Sequence, residues 1–128
     1  MQIRIDNASS RPVYRQIIDH IKRDIALGRL IKDEKLPTVR QLAAQLAINP
    51  NTIAKAYRQL EQQGIITTRP GTGAFIANLD SNLSNSVKKK LLCTELEHVI
   101  VDAYHMQIDK PAIKKWFDET VERFKLPE

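Results

Sequence analysis

The sequence predicts a mainly α-helical fold with a small β-hairpin, and three observations carry that prediction. Two short apolar periodicities stand on either side of Asn49-Pro50, and a longer one precedes them. A Pro70-Gly71-Thr72-Gly73 break then separates two short extended stretches. Spacings near 3.6 residues mark helices, and a glycine-bearing break between extended runs marks a hairpin.

At the start of the chain, Gln2 to Ile5 alternates in character and is expected to form a short extended arm, with polar turn material from Asn7 to Arg11. The first helix is expected to begin near Pro12. Tyr14, Ile17, Ile18, Ile21 and Ile25 follow the i, i+3, i+4, i+7, i+11 spacing of a buried stripe, ringed by Arg15, Asp19, Lys22 and Arg23. Gly28 is its expected stop. His20 lies beside the stripe with no second ligand nearby in sequence, so it reads as structural or solvated.

Thr38 and Gln41 have the capping-box spacing, and Pro37 prevents a helix from running in from upstream. Leu42, Ala43 and Leu46 give the helix that starts there one apolar face. Asn49 is then an N-cap with proline at the first helical position, which starts a second helix after a tight turn. In that second helix Ile53, Tyr57 and Leu60 fall on one side, while Asn51, Lys55, Arg58 and Gln62 gather on the other. The polar side has no acid. A solvated face normally mixes signs, so amides and bases starting at a helix N-terminus suit the floor of a DNA major groove. An ordinary amphipathic helix shares the apolar periodicity, and this helix alone does not separate the two readings. The angular position of Tyr57 favours core packing over a phosphate contact through its hydroxyl.

Gly64 is expected to end the second helix, with strands at Ile65 to Arg69 and Ala74 to Ala77. The tip between them carries glycines that let backbone approach a phosphate or a minor groove. Gly71-Thr72-Gly73 is not a dinucleotide-binding loop, because Ile76 occupies the third glycine position and no helix follows. Helix, helix-turn-helix and wing together make a winged helix-turn-helix domain over residues 1–77.

Residues 78–128 read as a two-helix C-terminal dimerisation tail behind a polar linker from Asn78 to Asn82. Leu92, Leu96, Val99, Ala103 and Met106 step by 4, 3, 4 and 3, as a heptad seam does. Asp109 with Pro111 marks a new helix start, and Ile113, Phe117, Val121 and Phe124 form its stripe, with Trp116 as a further apolar body. Two helices with that much apolar surface must pack on the winged helix or on a second copy of the chain. His98, Asp102 and His105 share a face near Cys93, the pattern a metal-responsive regulator would need, but the spacing lacks a closing ligand pair. A charged outer face explains the same residues, and no metal or cofactor is expected. Lys88 to Lys90 reads as a solvated helix start or a non-specific phosphate contact.

Composition sets the outer limits. The 128 residues carry a net charge of +5. Residues 1–77 hold 12 Lys/Arg against 6 Asp/Glu, and residues 78–128 hold 8 against 9, so the positive charge lies in the first part. That balance favours polyanionic partners such as nucleic acid. The lone Cys93 excludes an internal disulfide and suits a reducing cytoplasm. No apolar run approaches the roughly 20 residues that span a bilayer, and MQIRIDNASS lacks the order of a signal peptide, so a cytoplasmic chain without a membrane partner is expected. No catalytic constellation is present, which argues against an enzyme. The uncharged recognition face of a winged-helix protein-interaction module is absent too.

Residues 1–77 resemble the N-terminal domain of GntR-type bacterial transcription regulators, and the resemblance is closest to their short YtrA-like branch. IRIDNASSRPVYRQI, LPTVRQLAAQLAINPNTIAKAYRQLEQQGII and TTRPGTGAFIA carry it. Asp33 departs from the pattern, since the family usually places glycine there, although aspartate tolerates a left-handed turn well.

The resemblance implies that Thr38 and Arg40 lie at the front of the first motif helix and that Arg40 contacts a guanine or backbone. By the same resemblance Asn49, Asn51 and Thr52 face double-stranded DNA, and Arg69, Gly71, Thr72 and Gly73 approach the minor groove. The residue pattern itself adds Lys55 and Arg58 as contacts, with Arg58 on phosphate. The family's short members dimerise through such a tail, and relatives of this branch often sit beside genes for ATP-driven transporters. A homodimeric repressor on an inverted-repeat operator is therefore expected. With only about 50 residues in the tail, any small-molecule effector is expected to bind between subunits or at the tail's junction with the winged helix, because a drug-sized ligand needs a larger enclosing pocket; the sequence does not identify one.

Overall fold

An isoleucine stripe organises the first part of the chain. In the computed structural model, which describes residues 1–78, 84–124 and 126–128, Ile17, Ile18 and Ile21 of helix α1 (Val13–Ala26) are fully buried. Tyr14 and Ile25, at the ends of the stripe, are half-buried. Leu27 caps the helix and Gly28 turns the chain at φ 77°. One polar residue joins the buried face: Asp24 is 5% exposed. Its carboxylate lies 3.2 Å from His20 Nε2 and 3.6 Å from the Arg29 guanidinium. Its backbone carbonyl accepts the N–H groups of Arg29 and Leu30 at 2.8 and 3.2 Å. His20 thus helps to close the end of α1.

Helices α2 (Val39–Leu46) and α3 (Pro50–Gln62) start where the caps predict. Thr38 Oγ1 accepts the Gln41 N–H at 3.0 Å, and Gln41 Oε1 accepts the Thr38 N–H at 2.9 Å, which satisfies donors that a helix start otherwise leaves open. Asn49 Oδ1 accepts the Asn51 N–H at 2.9 Å, with Pro50 behind it. Ala47 makes the turn between the helices at φ 54°. Leu42, Ala43, Ile53, Ala56 and Leu60 pack with the α1 stripe into one core. Tyr57 is 8% exposed and belongs to that core, as its angular position predicts. Its hydroxyl donates to the Pro37 carbonyl at 2.7 Å. Burial pushes the pKa of that hydroxyl well above the ordinary tyrosine value, so it stays a neutral donor.

The hairpin pairs β1 (Ile66–Arg69) with β2 (Gly73–Ile76) in antiparallel register, Ile66 opposite Ile76 and Arg69 opposite Gly73. β1 ends at Arg69 as expected but starts one residue later, and β2 is displaced by one residue toward the tip, because the Arg69–Gly73 pair closes a three-residue loop. Residues 33–36 add a third edge. The Asp33 N–H donates to Ile76 O, the Ile76 N–H to Glu34 O and the Leu36 N–H to Ala74 O, each at 2.9 Å. Asp33 turns the chain into that edge at φ 68°, a conformation that aspartate accepts more readily than most residues.

The expected extended arm at Gln2 to Ile5 forms no strand. It is tied down by side chains instead. Ile3 is buried, Gln45 Nε2 donates to Met1 O at 3.0 Å, and Gln16 bonds both the N–H and the carbonyl of Asp6.

The chain divides into two compact units, Met1–Leu79 and Asp80–Glu128. Most of the expected linker, Leu79 to Asn82, lies outside the described residues. The second unit holds α4 (Asn85–His105) and α5 (Lys110–Glu122). Ser84 and Asp109 cap them, accepting the N–H groups of Val87 at 3.3 Å and Ala112 at 2.9 Å.

Several residues of the expected tail surface depart from their predicted setting. Ala103 is buried at 8% exposure, so its side chain is already covered. Met106 is the C-cap of α4, outside the helix, and Phe124 lies beyond the end of α5. Leu92, Leu96, Val99, Trp116 and Phe117 are exposed, and Ile113 and Val121 are half-buried. Leu91, Ile100, Val101 and Tyr104 are exposed as well, although none lies on the heptad seam. The helix is therefore apolar on more than one side.

Candidate nucleic-acid interface

The start of α2, the outer face of α3 and the wing meet around a shallow hollow of about 280 Å³. Thr38, Arg58 and Gly73 line it together with Pro37, Ala54, Glu61 and Thr68. A Glu61 carboxylate oxygen accepts the Thr68 N–H at 3.1 Å, which ties the wing to α3. Because that acid is engaged with β1, the outermost side of α3 is left to amides and bases. Arg40 and Asn51 are exposed, and Thr52 is half-buried at the α3 tip.

Lys55 and Arg58 take different directions. Lys55 Nζ sits 4.0 Å from the centre of the Tyr14 ring, a cation–π contact that leans it toward α1. Arg58 borders the hollow on the wing side. Arg69 is held twice: its guanidinium lies 4.0 Å over the Phe75 ring and 3.4 Å from the Asp33 carboxylate. At the wing tip Gly71 has φ 72° and Gly73 φ 130°, and the Thr72 N–H donates to Arg69 O at 3.0 Å. Positive φ of this kind is open to glycine at little cost, and it keeps the tip free of bulk.

Ala54, Glu61 and the Asp33–Arg69 pair escaped the reading of the sequence. Ala54 and Glu61 share an angular sector of α3 with Arg58, a signal that helical periodicity does contain. The Asp33–Arg69 contact joins residues far apart in the chain and leaves no local trace. In the other unit, His98, Asp102 and His105 form no metal-binding group: among the described residues no three His, Cys, Asp or Glu side chains are placed to hold an ion. No helix among the described residues is long and apolar enough to cross a membrane.

A basic winged helix whose recognition-helix tip, capped motif start and glycine wing open on one side defines the class of helix-turn-helix DNA-binding regulators. The chain belongs to the gntR family of bacterial regulatory proteins, whose model matches residues 13–76, and it is a DNA-binding transcription regulator. It is 36% identical over 117 residues to the HTH-type transcriptional repressor YtrA of Bacillus subtilis (strain 168), covering 91% of this chain and 90% of that one. Among solved structures, a transcriptional antiterminator from Listeria monocytogenes EGD-e matches with a TM-score of 0.86 at 33% identity, over 100% of this chain and 96% of that one. The DNA-binding domain of AraR in complex with operator ORE1 matches with a TM-score of 0.51 at 31% identity, over 60% of this chain and 94% of that one.

Proposed function

We propose that the protein is a cytoplasmic transcription repressor that binds an inverted-repeat operator as a homodimer and catalyses no reaction. The observation that carries this reading is the pairing of an α3 face of amides and bases, whose one acid, Glu61, is bonded to the wing, with a second unit whose apolar side chains are exposed. Asn49, Asn51 and Thr52 meet base edges at the α3 tip, and Arg40 reads a guanine. Arg58 and Thr38 take phosphates, and Lys55 joins them once it leaves the Tyr14 ring. Arg69, Gly71, Thr72 and Gly73 approach the minor groove. Leu92, Leu96, Val99, Trp116 and Phe117 cover one another across two copies, with Ile113 and Val121 at the margin.

The similarity to a repressor and to an operator-bound DNA-binding domain supports this reading. The family resemblance supports a transporter operon as the target, and the shortness of the tail argues against an effector enclosed within one tail. The test is a gel shift on restriction fragments of genomic DNA, with competitor, over a salt series. A small set of fragments should be retained, and their affinity should fall steeply with salt. Equal retention of every fragment would overturn sequence-specific binding. Sedimentation of the free protein as a monomer at micromolar concentration would overturn the homodimer.

A further inference from the structure

We propose that Lys35 is an additional DNA-phosphate contact on the outer face of the wing, and that Gly73 is glycine partly to seat it. The proposal rests on the DNA-binding reading and extends it to a residue that the sequence leaves in the connection before α2.

The backbone places Lys35. Hydrogen bonds from Leu36 to Ala74 and from Ile76 to Glu34 flank it, so it faces Phe75 across an antiparallel bridge. In such a non-hydrogen-bonded pair the side chains stand on one face and approach closely. Alternation along the strands puts Asp33, Lys35, Arg69, Gly73 and Phe75 on that outer face, while Leu36, Ile66 and Ile76 point into the core.

Gly73 lies diagonally across from Lys35, toward the wing tip. A Cβ built on Gly73 would stand 3.0 Å from Lys35 Cε and 3.8 Å from its Nζ. The lysine stem therefore crosses the space that a side chain at 73 would occupy, and its ammonium is carried to the tip. Arg69, paired with Gly73 from the other strand, has its charge partly met by Asp33 and Phe75. Lys35 forms no ion pair among the described residues, so its charge is offset less than that of Arg69. An ammonium on a flexible stem acts as a point charge, which fits a phosphate oxygen and carries no base preference.

The test uses the full chain and a fluorescent mixed-sequence duplex of about 30 base pairs, titrated between about 50 and 200 mM salt. Lys35→Gln should weaken binding and reduce the salt slope by about one ion. Lys35→Arg should keep the slope, and so should Lys22→Gln, which removes the same charge from the exposed side of α1. Gly73→Ala should weaken binding in the native chain and do so less in the Lys35→Gln background; any backbone strain is common to both and cancels in the comparison. Equal slopes for Lys35→Gln and Lys22→Gln would overturn the contact. Additive losses in the Gly73 comparison would overturn the seating. If the unaltered chain bound the duplex without salt dependence, the DNA-binding reading itself would fall.

Discussion

In the winged-helix unit Ile17, Ile21, Leu42, Ile53 and Leu60 have no exposed surface, whereas in the second unit Leu92 is 65% and Met106 70% exposed. Both units contain well-capped helices, so local structure does not distinguish them. What differs is whether the apolar faces are covered. Every residue of the buried cluster lies between Ile3 and Ile76, so the first unit closes on itself. In α4 and α5 Ala103 is buried, while Leu91, Leu92, Leu96, Val99, Ile100, Val101, Trp116 and Phe117 stay exposed. One unit covers its apolar side chains, and the other leaves most of its own exposed.

The sharpest way to break that comparison is to remove the same side chain from each unit. Leu60→Ala should lower the stability of the winged helix by about 2 to 5 kcal/mol, as loss of a fully buried leucine does, read from urea unfolding. Leu92→Ala should leave that transition within about 0.5 kcal/mol and instead raise the concentration at which the dimer dissociates. Equal shifts of a single transition would mean that the tail shares the first unit's core.

The next effect is on affinity. A chain cut after Ala77 should keep its fold and be monomeric. On two half-sites about one helical turn apart it should bind at least about 100-fold more weakly than the whole chain, because the second contact is no longer intramolecular. Replacing Leu96 and Val99 by glutamate in the full chain should reproduce this loss. A truncated chain that sediments as a dimer would place dimerisation in the winged helix.

Within the first unit, Arg40 and Arg58 sharpen the contrast between reading and holding. Arg40→Ala should cost about 1 to 3 kcal/mol of binding and relax preference at one operator position. Arg58→Ala should weaken all sequences alike and lower the salt slope by about one ion. Binding across a panel of single-base operator variants separates the two, and the same uniform loss for both would remove Arg40 from base reading.

How much was legible in the sequence follows the range of the interactions. The caps of Thr38, Asn49 and Asp109 were readable because a side chain and its acceptor or donor lie two or three residues apart. The isoleucine stripe was readable because periodicity is a local count. The third edge at residues 33–36 was not, since its partners lie some 40 residues downstream and nothing nearby encodes them. The same holds for Lys55 on Tyr14 and for Arg69 on Asp33, which turn two expected contact residues into partly occupied ones. The buried Asp24 was missed for a different reason: His20 is its i,i+4 neighbour on α1 and Arg29 lies five residues on, but a count of apolar positions passes over a polar side chain beside the stripe. In α4 the heptad count selected one seam and passed over Leu91, Ile100, Val101 and Tyr104 on the other sides.

The smallest effect tests whether a residue on the recognition helix belongs to the core or to the DNA. Tyr57 donates its hydroxyl to Pro37 O at 2.7 Å, fastening α3 to the turn that starts α2. Tyr57→Phe keeps the ring and loses the bond, so it should cost about 1 kcal/mol of stability near neutral pH. Burial raises the folded-state pKa above the unfolded one, so ionisation is easier in the unfolded chain. The hydroxyl's contribution is therefore fully present below the ordinary tyrosine range and is lost as pH rises through and beyond it. The stability gap between the native chain and Tyr57→Phe should close in alkaline solution, which urea unfolding at neutral pH and above about pH 10 would measure. Binding points the same way: the variant should keep the native affinity for DNA. A loss of affinity that is the same for every sequence, with unchanged stability, would put the hydroxyl on a phosphate and take Tyr57 out of the fold's internal bonding.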